Sequence, residues 1–229
     1  MAQVDRLQEL RALLRQASGG VRTAGEKNSA AVWPPGGLGT GTLSEWVAAE
    51  TGSGAWELAV ATVRSQLPGN GRWLVIDPVG EISPRACAMW GLDLSQVVFV
   101  RNVEPTAALW SIEQGLRSRG VDVVLARVER LAPVAFRRLQ LATEQGQARC
   151  LLLRELTALQ ETSWADLRVQ IQPQSARHWS RRRVQAQILK QRNGLPGSEL
   201  MLELDHVTGV VRLVSELAHP AFVSQATGA

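Results

Sequence analysis

Apolar positions along this chain change their period several times, and each change marks an element. Residues 4 to 17 place Val4, Leu7, Leu10, Leu14 and Ala17 on one helical face, with Asp5, Glu9, Arg11 and Arg15 mainly elsewhere. That spacing predicts a short amphipathic helix over 1–17. Ser18-Gly19-Gly20 opens a polar stretch that runs to Pro34-Pro35, which reads as a flexible linker over 18–35. The helix either folds back on its own domain or docks on a partner, with Leu7, Leu10 and Leu14 as the docking face.

From residue 42 onward, strand and helix patterns alternate. Strands are expected at Thr42 to Ala48, Trp73 to Asp77, Val97 to Val100, Val121 to Val128 and Ala148 to Leu153. Helices are expected at Ala55 to Gln66, Pro84 to Trp90, Pro105 to Arg119 and Val134 to Gln145. The strands are continuous apolar runs, the pattern of a sheet covered on both faces. Strands separated by helices imply a parallel sheet with right-handed crossovers. After residue 160 the helices stop. Leu167 to Gln172, Arg183 to Gln191, Glu199 to Leu204 and Val210 to Leu213 read as successive strands, with turn chemistry at Asn193-Gly194 and Thr208-Gly209. They predict an antiparallel extension of the sheet.

Composition bounds the rest. The chain has 229 residues, 45% of them hydrophobic, enough for one α/β domain with short appendages or at most two small domains. No run reaches the roughly 18 apolar residues of a membrane span, and the polar start Met1-Ala2-Gln3-Val4-Asp5-Arg6 lacks a secretory apolar stretch. A cytoplasmic protein with no membrane contact is expected. The two cysteines, Cys87 and Cys150, lie far apart and outside any CxxC spacing, which argues against a disulfide framework or a zinc site. Cys150 sits in an apolar run and reads as a buried thiol. His178, His206 and His219 have no metal-ligand spacing. No metal and no cofactor is expected.

Net charge is +4, and Lys27 and Lys190 are the only lysines, so the positive charge is almost all arginine. Seven basic residues fall between Leu167 and Ser198, namely Arg168, Arg177, Arg181, Arg182, Arg183, Lys190 and Arg192, with no Asp or Glu among them and with Trp179 beside them. Strand alternation puts Arg182, Val184, Ala186, Ile188 and Lys190 on one face and Arg183, Gln185, Gln187 and Leu189 on the other. Such a stretch grips an acidic protein surface, binds phosphate backbone with an aromatic to stack a base, or is a solvated strand edge protected by charge.

The order of segments resembles the RecA family of recombination ATPases. The resemblance is carried by Gly36-Gly37-Leu38-Gly39-Thr40-Gly41, by Thr51-Gly52-Ser53-Gly54 before a helix, by Ile76-Asp77 with Ser83-Pro84 and Gly91-Leu92-Asp93, and by Val121-Asp122-Val123-Val124-Leu125. It covers residues 36–175 and implies a three-layer α/β sandwich with a parallel central sheet, extended by antiparallel strands in 176–229.

Set against the family, the chemistry is missing. A working P-loop ends in Gly-Lys-Ser/Thr, where lysine meets the phosphates and the hydroxyl holds Mg²⁺. Here Gly54 is followed by Ala55 and Trp56, and the indole of Trp56 is large enough to fill a phosphate pocket. The alignment puts the family's catalytic glutamate on Val79, its Walker B aspartate on Arg127 and its sensor glutamine on Glu155. Valine cannot activate water, and arginine reverses the charge that Mg²⁺ needs. Gly52, Ser53, Gly54, Ala55, Trp56, Val79 and Arg127 therefore outline a degenerate nucleotide site, and the chain is expected not to be an enzyme. The two segments that correspond to the family's DNA-contacting loops are short, which argues against filament-type DNA binding.

Degenerate RecA-like chains with an arginine-rich late strand, here Arg181 to Gly194, resemble the ImuA family. That resemblance implies an adaptor in damage-induced translesion synthesis. Its partners would be RecA, an ImuB-like polymerase-related protein and an error-prone C-family polymerase, with at most a weak contact with DNA. The binding residues would be Arg177, Trp179, Arg181, Arg182, Arg183, Lys190 and Arg192. The alternative is a SulA-like inhibitor that binds the tubulin-like division protein, since SulA is also a shortened RecA-like fold without ATPase residues.

Overall fold

A computed structural model describes residues 38–50, 52–67, 69, 71–175, 179–192 and 197–214. The helix and linker expected over 1–35, Arg177 and the Asn193-Gly194 turn lie outside the described residues.

Among the described residues, nine strands form one sheet in the order β3-β2-β4-β5-β1-β6-β7-β8-β9. The first five are β1 (Leu43–Ala48), β2 (Trp73–Asp77), β3 (Val97–Arg101), β4 (Val123–Arg127) and β5 (Arg149–Glu155); after them come β6 (Leu167–Gln174), β7 (Arg181–Gln191), β8 (Glu199–Asp205) and β9 (Val210–Leu213). Strands β1 to β6 pair in parallel, and β7, β8 and β9 run antiparallel. The strand at 167–174 thus belongs to the parallel set through its pairing with β1, and the antiparallel extension begins one strand later than the pattern suggests.

Four helices cover the sheet: α1 (Ala55–Arg64), α2 (Pro84–Met89), α3 (Pro105–Arg117) and α4 (Pro133–Gly146). Proline occupies the first turn of α2, α3 and α4, where its missing N–H costs no hydrogen bond and its fixed φ suits the helix. One apolar core joins α1, Cys87 of α2 and one sheet face, and a second joins α3, α4 and the other face. This is the expected three-layer arrangement. Gly115 and Gly146 let the second layer close. A Cβ on Gly115 would lie 2.3 Å from Leu74 Cδ2, and one on Gly146 would lie 1.7 Å from the Leu116 carbonyl oxygen.

The extension shares the first core. Val184, Ala186, Ile188, Leu202 and Leu204 are buried in one cluster with Leu58 and Ala59 of α1. That packing sets β7 and β8 against the start of α1, at the carboxyl ends of the parallel strands, where open α/β sheets hold their ligands.

Candidate functional site

Between β1 and α1 the chain makes a glycine turn. Gly52 (φ +75°) and Gly54 (φ +88°) are both left-handed, and Gly54 caps the helix. Gly52 is exposed, while Ser53, Gly54 and Ala55 are buried. What buries them is the extension. A Cβ on Gly54 would sit 3.0 Å from Val184 Cγ1 and 3.2 Å from Arg182 Cδ. Trp56 is half-buried and packs edge-on against Trp90, ring centroids 6.4 Å apart.

The helix start carries its own anion. Glu57 is the third residue of α1, and its carboxylate accepts a hydrogen bond from its own backbone N–H. Arg182 Nη1 donates to Glu57 Oε1 at 2.9 Å. The Glu57 side chain is only 8% exposed, so burial pushes its carboxyl above the usual range, partly opposed by that N–H and by Arg182. A helix N-terminus attracts negative charge through its free N–H groups and dipole. In this chain the attraction is met by a carboxylate of the protein itself, which is paired in turn with Arg182.

A second ion cluster closes the ends of the neighbouring strands. Arg127, the last residue of β4, pairs with Glu81 and, at 3.2 Å, with Glu155 Oε1 at the end of β5. Guanidinium has only donors and cannot ligate a cation, so the position that the RecA resemblance assigns to a metal-binding carboxylate holds a positive charge. Val79 is 53% exposed and contributes no polar side-chain atom. Asp77 is buried, accepts from Ile82 N at 2.7 Å and lies 3.9 Å from Arg101 Nε. Among the described residues, no group of three or more His, Cys, Asp or Glu is placed to hold a metal ion. No described helix is long and apolar enough to cross a membrane.

The arginine-rich strand meets acids that its own sequence lacks. Arg183 Nε pairs with Glu203 Oε1 at 2.7 Å, and Arg181 lies at 3.7 Å from Glu203 and 3.5 Å from Asp205, all across the β7–β8 ladder. Arg192 pairs with Asp166 at 3.0 Å and with Glu144 at 3.6 Å. Lys190 Nζ donates to the Ser163 carbonyl at 2.9 Å. Its facing differs from the simple alternation. A register shift between Arg168 and Val169 skips Leu189 and sets Lys190 opposite Arg168, and directly opposed residues share a face. Lys190 is therefore turned away from the face of Ile188. Trp179, just before β7, is 92% exposed.

Two features escaped the sequence reading. Glu45 on β1 and Arg154 on β5 are fully buried and pair at 2.8 Å. Arg168 Nε adds a 3.1 Å contact to Glu45, Ser163 Oγ donates to Glu45 at 2.6 Å, and Glu161 pairs with Arg154. This cluster pins the crossover 156–166 to the sheet. Its one signal was Glu45, the single charge inside the apolar run of β1. The second feature is a contact made by the expected β8–β9 turn, where His206 packs edge-on against Trp90 at 6.0 Å. Both cysteines are buried thiols, and burial pushes that of Cys87 up to about 11.

No family model matches the chain, and no curated protein matches it. Among solved structures, that of the RadB recombinase is similar, with a TM-score of 0.58 and 12% sequence identity, over 78% of this chain and 93% of that one. At this identity the likeness shows the fold alone. The fold is RecA-like, a largely parallel α/β sheet with antiparallel strands added at its C-terminal side.

Proposed function

We propose that this protein is a non-catalytic, RecA-like adaptor of the ImuA type that acts in damage-induced translesion synthesis. It would bind RecA and bring it together with an ImuB-like protein and an error-prone C-family polymerase. The observation that carries the reading is the self-occupied helix N-terminus. Glu57 and Arg182 supply, from within the chain, the negative and positive charges that phosphate and lysine supply in an ATPase. Arg127, held between Glu81 and Glu155, stands where a metal-binding carboxylate would be needed.

A RecA-like fold without a free phosphate site keeps its surfaces, and those surfaces are then available for docking. Two titrations test the reading. Calorimetry with MgATP is expected to give no saturable binding below about 1 mM. RecA assembled on single-stranded DNA is expected to bind the purified chain at micromolar concentration or tighter, with RecA alone and DNA alone as controls. Saturable MgATP binding with hydrolysis, or no binding to the filament, would overturn the proposal.

A further inference from the structure

Helix α4 buries one face, and its other face is uncovered among the described residues. Phe136, Leu139 and Ala142 enter the second core. Val134, Arg137 and Leu141 lie on the outer face, all exposed and stacked one helical turn apart. Val134 is 75% exposed and Leu141 is 39% exposed. The Arg137 guanidinium lies over the Trp164 ring, 5.3 Å from its centroid, and donates to Gln140 on the same helix. No carboxylate pairs with it among the described residues.

Trp164 is held out by its neighbours in the chain. Ser163 Oγ donates to the buried Glu45 carboxylate at 2.6 Å, Ala165 is buried, and the Asp166 N–H meets the Leu43 carbonyl at 2.8 Å. The indole between them is 41% exposed. A second cation borders it, since Lys190 Nζ sits on the Ser163 carbonyl at 2.9 Å. A rigid aromatic beside aliphatic groups loses little conformational freedom on binding.

The charges around this face decide the sign of its partner. Glu144 and Asp166 share Arg192, while Arg117 and Arg138 share Glu113. The first group is one cation short and the second has one to spare. Buried Arg154 and Arg168 are met by Glu45 and Glu161. Glu129 and Arg130, adjacent and exposed before α4, offset each other. The Arg127 cluster lies on the opposite face of the sheet, with Val123 and Leu125. Arg137 and Lys190 remain unmatched among the described residues, so the face is cationic.

The apolar groups decide the partner's class. A phosphate backbone offers nothing apolar to Val134 and Leu141. One face of the Trp164 ring, where a base could stack, is taken by Arg137. An amphipathic helix meets such a surface with apolar side chains at i, i+3, i+4 and i+7, and carboxylates beside that seam meet Arg137 and Lys190.

We infer that the outer face of α4, with Trp164 and Lys190 beside it, docks an acidic amphipathic helix of a protein partner. The inference rests on the adaptor reading for a protein partner and adds the surface and the chemistry of the docked segment.

The experiment titrates the full chain against labelled synthetic peptides and reads fluorescence anisotropy. One peptide has a leucine seam at those spacings flanked by glutamates. A second has lysines in place of the glutamates, and a third has the first one's composition with the seam scrambled. Labelled single-stranded DNA is the fourth probe. The acidic peptide is expected to bind saturably, and the other three probes at least roughly tenfold more weakly. Arg137→Glu is expected to weaken the acidic peptide by roughly tenfold or more and Val134→Ser by roughly fivefold. Arg85→Glu, the same charge change on exposed Arg85 of α2, is expected to change nothing. Matching thermal melts show that each variant is folded. No saturable binding of the acidic peptide overturns the inference, as does equal binding of the scrambled or lysine peptide, or an equal loss in Arg85→Glu. DNA bound as tightly as the acidic peptide, and lost in Arg137→Glu, makes the face a nucleic-acid surface and also overturns it. RecA filaments are titrated in parallel. A chain that binds the filament but not the acidic peptide loses this inference and keeps the adaptor reading. A chain that binds the acidic peptide but not the filament keeps this surface and loses RecA as its partner.

Discussion

The start of α1 and the turns that carry Trp179 and Val207 lie on the same edge of one sheet, yet they are finished in opposite ways. At the helix start the charges are met within the chain. Gly54 is covered by Val184 and Arg182, Glu57 is paired with Arg182, and Arg127 is shared by two glutamates. At the β8–β9 turn the backbone is braced by Asp205, but Val207 there and Trp179 nearby are left bare. Charge met inside the chain gives a closed surface. Apolar area left outside a rigid frame gives an open one. The contrast teaches that a closed helix start and an open apolar turn can be neighbours on one sheet edge without being the same place.

Substitutions can break or sharpen that contrast, beginning with the buried reference for internal pairing. Arg154→Met takes from fully buried Glu45 one of its two arginine partners, with Arg168 and Ser163 remaining, and such a loss is expected to cost about 3 kcal/mol, read from urea unfolding. A cost below about 1 kcal/mol would show that internal pairing matters little in this fold. Next, Arg182→Ala is expected to cost about 2–3 kcal/mol at neutral pH, less than the first because Arg182 is itself about a third exposed.

That second loss has a pH signature. The carboxyl of Glu57 is already raised in the folded state by burial, and removing Arg182 raises it further. A raised carboxyl favours the folded protein below its unfolded value, and that advantage disappears as pH rises through the folded value. The deficit of Arg182→Ala is therefore expected to be largest at neutral pH and to shrink as the pH is lowered toward the ordinary carboxyl range. A deficit that stays constant with pH would remove Glu57 from the explanation.

Arg127→Ala is expected to cost less than about 1 kcal/mol, because Glu81 and Glu155 are more than half exposed. Arg127→Asp is expected not to confer MgATP binding in calorimetry, since Ala55 and Trp56 still stand where the phosphate-binding lysine and the metal-binding hydroxyl would be. The smallest effect on stability is expected at the turns. Trp179→Ala should leave the unfolding midpoint within about 0.5 kcal/mol of the parent. A large stability loss there would mean that Trp179 serves the fold.

The comparison also bears on how the arginine-rich strand is probed. Changing Arg181, Arg182 and Arg183 together would strip Glu57, Glu203 and Asp205 of partners, so a binding loss would mix surface effects with unfolding.

Much of the architecture could be read along the chain. Continuous apolar strands such as Trp73–Asp77 announced a sheet covered on both faces, and Pro84 and Pro105 marked helix starts, because these signals come from local sterics and from burial of every side chain in a run. The degenerate glycine turn was legible for the same reason: left-handed Gly52 and Gly54 are a backbone requirement. The absence of Lys and Ser/Thr after Gly54 could also be read there. What the sequence could not supply was the partner of each charge. A span with seven basic residues and no acid looks like a cationic surface, yet among the described residues its arginines meet carboxylates at 45, 57, 144, 166, 203 and 205. The skipped Leu189, the turning of Lys190 and the closure of Gly54 by β7 likewise depend on strand register and on which core the last strands join. Local pattern determines elements because it acts over neighbouring residues. Only the tertiary fold decides which distant charges meet, and so which surface is closed and which is left open.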